Sequence, residues 1–231
     1  MNAIVTGATK GIGRAIAVKL AEAGYNIAVC ARSNIDLAVL AGDLAYTGVK
    51  VFCWTADLSV KDEVYRFAAE VGTTFDKIDV LVNNAGVFIP GSVLNEEDKS
   101  FEEQLFLNLN APYYLAKYFG KMMSEQQYGH IFSICSVSSK EIKENGGSYA
   151  VTKSALLSLN NVLRQELSRY NVKVTAILPG ETLTPSWEGT AIPADSFVKP
   201  EDIADALYTI LNLSSGVNVE EIILKPLNFK A

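Results

Sequence analysis

Asn2-Ala3-Ile4-Val5-Thr6-Gly7-Ala8-Thr9-Lys10-Gly11-Ile12-Gly13 opens the chain and decides its architecture. Residues 2–6 form an apolar run that reads as a strand. Residues 11–23 carry Ile12, Ile16 and Leu20 at helical spacing. Between strand and helix stand Gly7, Gly11 and Gly13. Glycines at such a turn let backbone N–H groups and the positive end of the helix approach a pyrophosphate. A glycine cluster alone is weak evidence, and the strand–turn–helix context is what makes it a nucleotide cradle. No Gly-Lys-Ser/Thr closes the segment, so it is not a nucleoside-triphosphate P-loop.

The same alternation continues outward from this segment. Further strands are expected at residues 26–31, 49–55, 78–82, 131–135, 172–177 and 221–224. Helices are expected at 35–46, 60–71, about 101–124, about 148–169 and 201–211. Strand–helix alternation specifies an α/β fold, a doubly wound parallel sheet of about seven strands with helices on both faces. Nothing divides the chain, so one domain is expected over residues 1–231. Residues 180–200, with Pro185, Pro193 and Pro200 and little periodicity, read as a functional loop.

Composition narrows the function. Of 231 residues, 49% are hydrophobic and 20% charged, enough to bury a sizeable core. A net charge of −6 repels phosphate backbones and anionic lipids, so nucleic acid and membrane surfaces are not expected as partners. No apolar run reaches the ~20 residues of a membrane span, and with a strand pattern from residue 2 no signal peptide is expected. A cytoplasmic protein is therefore expected. Cys30, Cys53 and Cys135 are scattered in strand-like stretches and read as buried thiols, and His130 is the only histidine. No metal site is expected.

The second strand ends Cys30-Ala31-Arg32-Ser33. In dinucleotide-binding sheets a carboxylate at this tip holds the ribose 2′-hydroxyl of NAD. None stands there. Arg32, Ser33 and Lys10 suit a 2′-phosphate instead, so the cofactor expected is NADP(H).

With these residues in view, the chain resembles the short-chain dehydrogenase/reductase family along essentially its whole length. The resemblance rests on Thr6–Gly13, on Asp57-Leu58, on Asn83-Asn84-Ala85-Gly86 and on Asn108. It continues through Ser136, Tyr149-x-x-x-Lys153 and Pro179-Gly180 with Thr184. It implies a Rossmann fold with strand order 3-2-1-4-5-6-7. It further implies that Gly7, Thr9, Lys10, Gly11, Ile12 and Gly13 cradle the cofactor. Asp57 and Leu58 would meet the adenine, and Asn83, Asn84, Ala85 and Gly86 would support nucleotide and sheet. Pro179, Gly180 and Thr184 would meet the nicotinamide. Asn108, Ser136, Tyr149 and Lys153 would form a catalytic tetrad, with Asn108 kinking its helix and anchoring a water, and Lys153 also holding the nicotinamide ribose.

The tyrosine–lysine spacing occurs three times, at Tyr46/Lys50, Tyr113/Lys117 and Tyr149/Lys153, so it decides nothing by itself. Gly48 separates the first pair. Ser100 lies 13 residues before Tyr113, as Ser136 does before Tyr149, but Ser100-Phe-Glu-Glu reads as the capping box of the long helix. Only Tyr149/Lys153 pairs with a serine at a strand's carboxyl end, where open α/β sheets bind ligands. A free phenol titrates near ~10. An ammonium one helical turn away and the positive end of the helix both favour its anion.

Val87, Phe88, Val137, the Ile142 region, Leu183 and Trp187 are expected to ring the substrate pocket. Their apolar character suggests a small or medium uncharged carbonyl or alcohol. Arg169 resembles a carrier-docking residue of 3-oxoacyl-[acyl-carrier-protein] reductases, which are an alternative. However, Gln127 stands where those enzymes carry a second basic residue. A non-catalytic NADP-binding regulator is a rival reading that usually lacks the tyrosine or lysine. Extended epimerases and dehydratases need a further substrate domain. Family resemblance also implies a homodimer or homotetramer.

Overall fold

Apolar residues fill both faces of the strands, so helices must cover the sheet on both sides. The computed structural model describes residues 1–142 and 144–229. Of the expected span, only Lys143, Lys230 and Ala231 lie outside the described residues. Seven parallel strands form one sheet in the order β3-β2-β1-β4-β5-β6-β7. They are β1 (Asn2–Thr6), β2 (Asn26–Ala31), β3 (Val51–Thr55), β4 (Val80–Asn83), β5 (Gly129–Ile134), β6 (Val172–Pro179) and β7 (Glu221–Leu224). The helices are α1 (Gly11–Glu22), α2 (Asn34–Leu44), α3 (Lys61–Thr74), α4 (Asp98–Leu105), α5 (Ala111–Gln126), α6 (Gly147–Leu167) and α7 (Pro200–Leu211).

Successive strand residues point to opposite faces. Val5, Val29, Val82 and Phe132 pack with Ile16, Leu20, Leu40 and Leu207 from α1, α2 and α7. Their neighbours Ile4, Ala28, Leu81 and Ile131 pack with Phe67, Val71, Leu115 and Phe119 from α3 and α5. Phe67 and Phe119 are fully buried. Each such side chain contributes about 1.5–3 kcal/mol. Because every strand is parallel, all the carboxyl ends meet at one edge. The chain reverses its winding between β1 and β4, which opens a crevice there.

Most element ends fall within a few residues of expectation, and the expected helix at 101–124 differs most. It begins at Asp98 with Glu97 as its N-cap, so Ser100 sits inside the first turn and the capping box does not form. The acidic first turn meets the exposed N–H groups instead. A π-helical turn, Phe106–Asn110, then separates α4 from α5 and contains Asn108. Ser136 stands just past the carboxyl end of β5, as expected, and caps a short 3-10 turn (Val137–Ser139). Cys30 and Cys135 are buried as expected, whereas Cys53 is only half-buried.

Candidate active site

The glycine loop shows why few other residues fit. Gly7 and Gly11 have φ of 63° and 53°, a left-handed conformation that strains side chains. A Cβ on Gly13 would stand 2.3 Å from the Gly7 carbonyl oxygen. The first turn of α1 has no side-chain cap, so its leading N–H groups are free to meet an anion. Thr6 joins this loop to the one after β4: its Oγ1 accepts from the backbone N–H of both Asn84 and Ala85, each at 3.0 Å. Asn84 Nδ2 in turn donates to the carbonyls of Thr6 and Gly7. Asn83 is buried within the sheet, and its Oδ1 has no hydrogen-bond partner among the described residues.

One cleft of about 700 Å³ opens at the carboxyl edge of the sheet. Among the expected site residues it gathers Gly7, Lys10, Gly11, Ile12, Asn84, Ala85 and Gly86 from the cradle side. From the other side come Ser136, Tyr149, Lys153, Pro179, Gly180 and Thr184. Thr184 reaches across to the cradle, since its Cγ2 lies 3.2 Å from where a Gly11 Cβ would be. Thr9, Gly13, Arg32, Ser33, Asp57 and Leu58 are not in its lining, and Asn108 lies beneath it, fully buried.

At the far corner Ser33 caps α2 by accepting the Asp36 N–H. Lys10 Nζ lies 3.8 Å from the Asp36 carboxylate, which brings Lys10 against the first turn of α2. Arg32 is exposed and has no ion-pair partner among the described residues. Asp36 was not foreseen: a carboxylate does stand near this corner, one helical turn past the strand tip. Asp57 accepts from the N–H and hydroxyl of Ser59, so its carboxylate stabilises its own turn.

Tyr149 and Lys153 rise from the first turns of α6. Lys153 is 4% exposed and has no carboxylate partner among the described residues. Its Nζ donates to the Ile134 carbonyl at 2.8 Å and lies 5.8 Å from the Tyr149 ring centre. Ser136 Oγ accepts the Ser138 N–H, and its own proton has no acceptor among the described residues. It is therefore free to donate to a ligand oxygen. The Cys135 thiol beside it is pushed up to about 12 by burial, so it is no thiolate nucleophile. Asn108 uses both ends of its amide structurally. Its Oδ1 accepts the Val87 N–H, and its Nδ2 donates to the Val87 carbonyl and to Thr152 Oγ1.

Of the expected pocket residues, Val87, Phe88, Val137 and Trp187 line the cleft. Ile142 and Leu183 do not. Ile142 is 84% exposed, and Leu183 is drawn into backbone pairing with Val198. Arg169 follows α6 at the amino edge of the sheet, opposite the cleft, and packs on Tyr170. Sequence reading missed Thr6, Thr152 and Phe229. Thr6 stood in the quoted loop, while Thr152 and Phe229 carry no local signal.

A parallel sheet in this order, with a glycine cradle and a Ser/Tyr/Lys group sharing its switch-point cleft, defines a dinucleotide-binding oxidoreductase architecture. Residues 1–192 match the family model described as short chain dehydrogenase. The chain belongs to the short-chain dehydrogenase/reductase family and is an oxidoreductase of that family. It is 33% identical over 225 residues to an uncharacterised oxidoreductase of Staphylococcus aureus (strain MRSA252), covering 97% of this chain and 96% of that protein. Its fold is similar to that of an alcohol dehydrogenase from the archaeon Thermococcus sibiricus complexed with 5-hydroxy-NADP. The TM-score is 0.91 at 30% identity, with 100% of this chain and 98% of that one covered. A metagenomic short-chain oxidoreductase in complex with NADP is similar too, with TM-score 0.87, 29% identity and coverage of 99% and 97%.

Proposed function

We propose that the chain is an NADP(H)-dependent oxidoreductase acting on a carbonyl compound or secondary alcohol, with Tyr149 as general acid and base. The observation that carries this reading is the shared cleft, in which Ser136, Tyr149 and Lys153 face the same space as the glycine cradle. The family membership and the NADP-type ligands of the similar structures support the cofactor. The uncapped α1 N-terminus and the glycine cradle fit a pyrophosphate, and Lys10 with Arg32 fits a 2′-phosphate.

When bound, the nicotinamide supplies or accepts the hydride. Ser136 hydrogen-bonds the substrate oxygen through its free hydroxyl, keeping its proton, and fixes the oxygen's position. Tyr149 delivers a proton to that oxygen in reduction and removes one in oxidation. Lys153, buried without a carboxylate, stabilises negative charge as it develops between phenol and substrate. Asn108 holds Val87 and Thr152 in place, and through Thr152 the first turns of α6. Residues 180–200 act as the substrate and cofactor loop of one domain spanning 1–231. Exposed Tyr113, Tyr118, Val151 and Val162 on α5 and α6 support a homodimer or homotetramer.

The test is Tyr149→Phe. Turnover of a carbonyl panel, followed by NADPH absorbance, falls about 10²–10⁴-fold, while NADPH still binds. Turnover within a fewfold of the parent overturns the assignment.

A further inference from the structure

Phe229 comes from far along the chain to join the loops after β4, β5 and β6 in the cleft lining, beside Trp187 and Pro185. Its ring meets Trp187 edge-on (centroids 5.8 Å apart, planes at 65°) and Phe197 likewise (5.4 Å, 67°). Trp187 and Phe197 are themselves 5.0 Å apart, so the three rings close on one another. Aromatic pairs in these orientations attract beyond simple area burial.

The segment carrying Phe229 is anchored on both sides. Gly180 N donates to the Leu224 carbonyl at 2.7 Å, and Pro226 Cδ lies 3.2 Å from where a Gly180 Cβ would be. Lys225 pairs with Glu141 on the loop after β5. Residues 225–229 therefore tie the loop after β6 to the loop after β5. Another ring of the lining, Phe88, stands edge-on to Tyr149 at 4.9 Å and is 51% exposed.

The charged groups of the lining each make a contact within the protein, and Lys10 and Lys153 are assigned above to cofactor and catalysis. Lys10 pairs with Asp36, Lys153 donates to a carbonyl, and Glu181 also has a partner. Beside the polar Ser136, Tyr149 and Lys153 and the aliphatic Val87 and Val137, the same lining presents the rings of Phe88, Trp187 and Phe229 as its bulky apolar surface.

We propose that Phe229 is a specificity-determining residue, forming with Trp187 an aromatic wall that selects aryl ketones over short aliphatic ones. The identity of the ligand's reactive group rests on the proposed carbonyl chemistry. The wall itself is tested without turnover. In protein saturated with NADP⁺, which cannot reduce a ketone, the dissociation constants of acetophenone and butanone are compared by ligand-observed NMR. The parent should bind acetophenone at least about tenfold more tightly. Phe229→Ala should erase most of that ratio with little change for butanone, and Phe229→Tyr should retain it. In a Trp54→Phe background, Trp187 emission should shift to the red in Phe229→Ala. Should that variant fail to fold, Phe229→Leu reads the same ratio. An unchanged ratio without the aromatic ring, or no preference in the parent, overturns the proposal, as does failure of acetophenone to bind. A parent preference that Phe229→Ala erases, with no reduction of either ketone by NADPH, supports the wall and counts instead against the carbonyl reading.

Discussion

His130 makes the stability of this protein depend on pH in a way that can be isolated. It sits on β5, 5% exposed, with its ring stacked on Phe132 at 4.0 Å. Thr175 gives its hydroxyl proton to the Val219 carbonyl at 2.6 Å, so its oxygen accepts from His130 Nε2 at 2.8 Å. The ring is thus satisfied as a neutral imidazole. Burial, and secondarily the charge of Lys173, lowers its pKa from 6.5 to about 3. The unfolded chain binds a proton below pH 6.5 and the native chain does not. Stability therefore falls as pH drops from 6.5 towards 3, by about 1.4 kcal/mol per unit. Between pH 7.5 and 5.0 this one group should cost roughly 2 kcal/mol. Urea unfolding of the parent and of His130→Gln at both pH values measures it. Other titrating groups cancel in the difference, because the two proteins share them. The variant starts less stable at pH 7.5 and should lose about 2 kcal/mol less on acidification. Equal losses in the two proteins would refute the reasoning.

Other expectations concern the cofactor end. Asp36→Asn removes the carboxylate 3.8 Å from Lys10 and frees that ammonium for a 2′-phosphate. NADPH should bind a fewfold more tightly by fluorescence titration, with little change in Tm, since an exposed pair is worth only about 0–1 kcal/mol. Arg32→Asp should reverse the preference towards NADH, and a parent that already prefers NADH would sink the 2′-phosphate reading. Gly13→Ala puts a methyl 2.3 Å from the Gly7 oxygen and 2.4 Å from Asn84 Nδ2, so the cradle must shift. Thermal unfolding should show a loss of about 1–3 kcal/mol, together with weaker NADPH binding; an unchanged Tm would mean the loop is not tightly packed.

Much of the site was legible because it is built from local signals. The glycine loop needs only a strand, a turn and a helix in succession, and its residues lie within a dozen positions. Tyr149 and Lys153 share a helical face by spacing alone. Ser136 separated them from the Tyr113/Lys117 pair even though the capping role assigned to Ser100 did not hold. Asp36 was hidden because a carboxylate four residues beyond the strand tip reaches the corner only once α2 starts to wind. Ile142 and Leu183 were misjudged because apolar character does not say which way a loop residue faces.

The sequence by itself determined the order of strands and helices, the two-sided core and the side of the sheet where chemistry can occur. Those follow from periodicity and from the right-handed crossovers that parallel strands require. The tertiary structure alone decided which distant loops share an edge. Thr6 meets Asn84 across 78 residues, Asn108 meets Thr152 across 44, and Phe229 closes on Trp187 and Phe197. Such contacts depend on strand order and loop packing rather than on neighbours in sequence, and no local pattern encodes them.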